Sequence, residues 1–207
     1  MNHAGTAISR RPEKHAGVVP LARPASLAIG VAVFVLLTCL GARVAVPLPG
    51  TPVPATLQTL PVLMAGLFLG AGPGCLSQII YVSLGLGGVP VFALPGAGPA
   101  YLLGPTGGYL AGFIAAAWIV GRIAPGEGAG LWRRLGALLL GLTAIHLSGF
   151  AGLLPHVAGD VGTAWRAGVL PFALFDLAKV VGALALHAGW LGLLRRFESG
   201  WRTGSRS

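Results

Sequence analysis

The sequence predicts an all-α protein, a polytopic bundle of six membrane-spanning helices. Three observations carry that expectation. Of 207 residues, 55% are hydrophobic and 9% are charged, against about 25% charged in ordinary soluble domains. The apolar residues gather in long stretches separated by short joints rich in proline and glycine, and most charges stand outside those stretches. A soluble domain of this length could not cover so much apolar surface in one core, whereas lipid accepts an apolar helix without a second layer.

The spans follow in order. The first runs from Leu27 to Val46, between Pro24 and the stop Pro47-Leu48-Pro49, since proline is tolerated near a helix start and ends one beyond it. A proline-rich connection, residues 50–56, leads to a second stretch from Leu57 to Gly70, closed by Ala71-Gly72-Pro73-Gly74, and a third from Cys75 to Gly87. Both are short for about 30 Å of hydrocarbon at about 1.5 Å per residue, so they extend into their flanks or are sheltered by neighbours. Residues 88–104 are uncharged but broken by Pro90, Pro95, Gly96, Gly98 and Pro99. Irregular backbone is tolerated at a membrane where protein buries it or where it lines a cavity, so this segment reads as a folded outer loop and a candidate lid.

The fourth span, Pro105 to Ala124, carries Gly104, Gly108, Gly112 and Ala116 at four-residue intervals. Such a stripe lets two helix backbones approach closely, and would also serve as a smooth pocket wall. The fifth span runs from Leu131 to Leu154, an outer loop carries His156, Asp160, Trp165 and Arg166, and the sixth runs from Val169 to Leu194. Trp118, Trp132, Trp165 and Trp190 fall near span ends, where amphipathic rings settle at the interface.

The net charge of +9 reports orientation. Eleven of the fourteen basic residues lie in the N-terminal tail (Arg10, Arg11, Lys14, Arg23), in one internal region (Arg122, Arg133, Arg134) and in the C-terminal tail (Arg195, Arg196, Arg202, Arg206). The positive-inside rule places these segments in the cytoplasm. The expected organisation is therefore a flexible cytoplasmic tail over 1–23, a transmembrane domain over 24–196 and a cytoplasmic tail over 197–207, in the cell (inner) membrane with both termini inside. No nucleic-acid partner is expected.

Asp176 and Lys179 are the charges deep within a predicted span. Each costs about 2.5–3.5 kcal/mol at a helix centre, and three residues apart they share one face and partly neutralise each other. Such a pair either locks helix packing or anchors a ligand; the second reading is favoured because intramembrane charges are functional by default. Thr56, Gln58 and Thr59, with Tyr81 and Ser83, are further polar candidates, and Phe92, Tyr101, Tyr109 and Phe172 are candidate aromatic walls. Enzyme chemistry finds little support: there is no GxxxxGK[ST] phosphate loop and no metal-ligand spacing. His146 and Ser148, two apart on a helix, do not face each other. His146 and His187 read as satisfied core or interface histidines, and Cys39 and Cys75 as buried thiols.

Four stretches together resemble the BioY family, the biotin-binding substrate subunits of energy-coupling-factor importers. They are residues 49–59 (PGTPVPATLQT), 87–92 (GGVPVF), 104–113 (GPTGGYLAGF) and Pro171-Phe172 through Asp176 to Lys179. The resemblance implies a six-helix bundle that is no enzyme and needs no cofactor, with biotin bound near the outer surface. It implies polar contacts from Asp176 and Lys179 and a surround of Tyr109, Phe92, Gln58, Thr56, Gly107 and Phe172. The connection over 93–101 departs from the family in offering no charged or amide side chain, which leaves Arg43 or backbone N–H groups for the biotin carboxylate. The implied partners are a transmembrane coupling subunit and ATPase subunits that use the ATP, with solitary or homo-oligomeric action as the alternative. The small residues Ala28 and Ala32 on the first span resemble the docking face for the coupling subunit. Selectivity for another vitamin, thiamine or riboflavin, is the second reading, and an intramembrane enzyme the third.

Overall fold

The computed structural model of the chain describes residues 24–124 and 128–204; the expected tail over 1–23 and the joint at 125–127 lie outside them. Helix α1 (Pro24–Arg43) leads into a short hairpin, β1 (Ala45–Val46) and β2 (Ala55–Thr56), then α2 (Thr59–Leu69) and α3 (Ala71–Leu86). A single turn, α4 (Pro99–Leu102), precedes α5 (Gly107–Ile123) and α6 (Leu131–Leu153). A 3₁₀ turn over Leu154–Val157 and the short α7 (Val161–Gly168) then lead to α8 (Leu170–Gly204). The helical, multi-pass bundle expected from composition is present.

Several boundaries differ from the sequence reading. The first helix ends at Arg43, and Ala45–Val46 pair in the hairpin, while α8 runs past the expected Leu194 to Gly204. Pro73 falls inside α3, not before it: it occupies the first turn, where its missing N–H would have had no partner in any case. The outer loop before α8 is largely helical. Asp160 caps α7, accepting hydrogen bonds from the Gly162 and Thr163 N–H groups at 3.1 Å each and from the Thr163 hydroxyl. These donors hold its carboxyl below the usual carboxylate range.

Pro24–Arg43, Leu131–Val157 and Val161–Leu194 are each long and apolar enough to cross a bilayer, and they turn Ile29, Leu36, Leu140, Leu174 and Val181 outward as a lipid-facing surface. The eleven residues of α2 reach only about 16 Å. The helix survives because protein surrounds it: Val62, Leu63 and Ala65 are fully buried, so its ends meet neighbouring helices before they meet lipid.

Small residues set the inter-helix distances. A Cβ on Gly108 would stand 2.2 Å from the Ser148 carbonyl oxygen, and one on Gly112 would stand 2.8 Å from Cα of Ile145, so this part of the predicted stripe is the α5–α6 seam. On the other side of α5, Gly121 faces the α2–α3 joint, where a Cβ would lie 2.3 Å from the Ala71 nitrogen. Without a hydrophobic drive between helices in lipid, such close packing and buried polar contacts hold the bundle together. Gln78 supplies one of the latter, donating to the Ser77 hydroxyl at 3.0 Å beside buried Thr38 of α1.

The segment before α5, expected on the outer side, is folded over one end of the bundle. Gly98 N–H donates to the Gly85 carbonyl at 2.7 Å, the Arg43 guanidinium donates to the Pro90 carbonyl at 2.8 Å, and Tyr101 stacks on buried Phe92 at 4.9 Å between ring centroids. His156 clasps it from the far side, with its ring nitrogens each 3.1 Å from the carbonyl oxygens of Gly152 and Leu103.

The glycine seams predict a measurable asymmetry. Gly121→Ala forces the α2–α3 joint away from α5 and destabilises the protein by about 1–3 kcal/mol. Gly136→Ala, whose added Cβ meets nothing within 4 Å, leaves stability unchanged or slightly raised. Thermal unfolding in detergent of the two variants checks this.

Candidate functional site

The site is assembled around the acid and base of α8. Lys179 Nζ donates to Asp176 Oδ1 at 2.5 Å and to the backbone carbonyl of Thr56, also at 2.5 Å. The second bond joins α8 to the β-hairpin, which is what the proline-rich connection builds: pairing of Ala45 with Thr56 and Val46 with Ala55 brings the Thr56 carbonyl over the charge pair. From α6, His146 brings its Nε2 to 3.1 Å from Asp176 Oδ2. That approach is oblique, and neither ring nitrogen completes an aligned hydrogen bond.

These groups line one wall of a cavity open at its mouth, mostly apolar with a few convergent polar groups, the character of a small-molecule site. Thr56, Gln58 and Thr59 form a second wall. Tyr101 and Ala93 of the outer segment lie on another side, and Thr106, Tyr109, Phe113, Ile145 and Phe172 complete the lining. The wall is rigid. Tyr109 donates its hydroxyl to the Gly168 carbonyl at 2.5 Å and meets Phe172 edge to face at 6.4 Å. Gln58 donates to the Tyr81 hydroxyl at 2.5 Å, which donates onward to the Val91 carbonyl at 3.1 Å, so the outer segment is tied to α2 and α3 through two buried polar side chains.

Of the residues singled out from sequence, Asp176, Lys179, Tyr109, Gln58, Thr56 and Phe172 share this cavity. Phe92 and Gly107 stand outside its lining. Phe92 is fully buried behind Tyr101, wedged against Tyr81, and backs the wall without forming it. Gly107 is where α5 passes under α4; any Cβ there would collide with the Leu102 carbonyl, so its role is clearance. Ser83 is exposed on α3, away from the cavity, and Arg43 is spent on Pro90 outside it. His146, expected to be a satisfied core or interface histidine, lies in the cavity wall beside Asp176 with neither ring nitrogen hydrogen-bonded. Its position toward the end of the fifth span that faces α7, as Asp176 lies near the start of α8, was the available signal. Ala28 and Ala32 are exposed on α1 and line an apolar groove with Gly72, Pro73 and Leu76 of α3.

The chemistry of the cavity is bipolar. An ammonium has three donors and a carboxylate about four lone-pair sites; with two donors and one or two acceptor sites engaged, each keeps capacity for a ligand. A ligand with a hydrogen-bond acceptor and adjacent donors on a compact polar head, followed by an apolar body, matches this wall and its aromatic surround.

Fold and cavity thus define a membrane-embedded binding protein for a small molecule, built as a helical bundle closed by loops on one side. The chain belongs to the BioY family, whose model matches residues 14–196. It is 43% identical over 156 residues to a probable biotin transporter BioY of Pyrococcus horikoshii, covering 75% of this chain and 90% of that one. It is 39% identical over 151 residues to a biotin transporter BioY of Thermotoga maritima, covering 73% and 87%. The fold matches the crystal structure of the S-component for biotin from an ECF-type ABC transporter, with a TM-score of 0.72 and 23% identity over 79% of this chain and 89% of that one.

Replacing Tyr81 with Phe removes the link between Gln58 and Val91 while keeping the ring. Two buried polar groups then lose a partner, at a cost of about 1–3 kcal/mol each. The expected result is a lowered unfolding temperature in detergent, with faster proteolysis in the segment over 88–98.

Proposed function

We propose that this protein captures biotin at the outer face of the membrane and delivers it to the cytoplasm, as the substrate-binding subunit of an energy-coupling-factor importer. The observation that carries the reading is the Asp176–Lys179 pair in the cavity wall. A cyclic urea has two N–H donors flanking one carbonyl, so the carboxylate receives an N–H while the free proton of Lys179 goes to the carbonyl oxygen. The fused sulfur ring and aliphatic chain pack against Tyr109, Phe172 and Tyr101, with Thr56 and Gln58 at the polar edge. The names borne by the Pyrococcus and Thermotoga relatives agree with this assignment.

The exposed Ala28 and Ala32 on α1, with the apolar groove beside them, support docking of a transmembrane coupling subunit, whose ATPase partners hydrolyse the ATP. The basic residues at the ends of the spans support cytoplasmic termini, with tails over 1–23 and 197–207 flanking the transmembrane domain.

Isothermal titration of the detergent-purified protein tests the reading. Biotin is expected to bind at micromolar concentration or below, with thiamine and riboflavin silent. Asp176→Asn and Lys179→Met should each weaken binding about 10–100-fold, the worth of a hydrogen bond to a charged group, while the variants remain inserted. Binding of either other vitamin in place of biotin, or unchanged affinity in both variants, contradicts it.

A further inference from the structure

We propose that His146 is a positioning residue of the binding site, acting through Asp176. The inference rests on the assignment of the cavity to biotin. Asp176 is approached on both oxygens: Lys179 occupies Oδ1 at 2.5 Å, and His146 Nε2 stands 3.1 Å from Oδ2. The two contacts come from different helices, so together they fix both the rotation and the depth of the carboxylate in the cavity.

His146 is not itself consumed by the packing. Neither ring nitrogen has an aligned partner among the described residues, although both are buried. A buried polar group without a partner is costly, and here a small ring rotation would direct Nε2–H onto Oδ2. A ring with its proton on Nε2 meets that need.

His146, Asp176, Lys179 and Tyr109 line the same cavity. With its rotation fixed by the ring, the carboxylate keeps its remaining lone pairs directed at the ligand's N–H donors. Without the ring, Asp176 is held by Lys179 alone and its second oxygen can turn away from the ligand.

The test is biotin affinity of the full-length protein in detergent. His146→Phe fills the space without a donor and should weaken binding about ten-fold, the order expected when one good hydrogen bond is lost. His146→Gln keeps an N–H donor and should match wild type within about three-fold; the recovery from Phe to Gln separates positioning from bulk packing. Should the Gln variant fail to fold, His146→Asn provides the same comparison. Wild-type affinity in His146→Phe, or an equal loss in the Phe and amide variants, overturns the proposal. Absence of biotin binding by wild type is a different failure: it removes the assignment of the cavity, and this inference with it.

Discussion

A carboxylate and an ammonium held inside a membrane protein impose conditions on everything near them. Neither can be left to hydrocarbon, and one turn of α8 gives each only one partner. The remaining capacity has to be met from other elements, and the fold is arranged to bring them. The β-hairpin delivers the Thr56 carbonyl to Lys179, α6 delivers His146 to Asp176, and what is still unmet opens into the cavity. The charge pair is thus both the junction of α6, α8 and the hairpin and the polar end of the cavity.

That junction depends on helices being closer together than ordinary side chains permit. The α5–α6 seam closes over Gly108 and Gly112, and Gly149 leaves room for the Tyr109 ring, against which any Cβ would stand 2.2 Å away. Tyr109 in turn reaches the Gly168 carbonyl just before α8 begins. Small residues on one pair of helices therefore determine where a large one can lie across the cavity floor. Packing in lipid supplies the positional accuracy that a soluble protein draws from its apolar core.

Much of this was legible in the sequence, for identifiable reasons. The spans announce themselves because a helix in lipid must be apolar along most of its length, and Asp176 and Lys179 because charge there is expensive. Tyr109, Gln58 and Thr56 stand out as aromatic and polar candidates by residue type, and the motifs of the family resemblance carry them as well. Legibility failed where residue type and place separate. Phe92 has the chemistry of a cavity wall, but Tyr101 stands in front of it. Gly107 lies within a recognisable motif, yet it is needed for what it lacks. The hairpin was hidden because its strands are two residues each, too short for any alternation to register. His146 was passed over because its partner lies on another helix thirty positions along, a relation that no local periodicity encodes.

The outer segment and the charge pair are coupled by the same bonds that hold them in place. Lys179 is shared between Asp176 and the hairpin, and the hairpin runs directly into Gln58, which is bonded to Tyr81 and through it to Val91. The charge pair is therefore joined through a chain of contacts to the loop beside the cavity. Tyr101, which lines the cavity from that loop and stacks on Phe92, stands at the other end of the same chain. The polar wall and the aromatic wall are thus placed by one set of bonds, and a substitution at any member of it, Gln58 or Tyr81 as much as Lys179, is felt at the cavity.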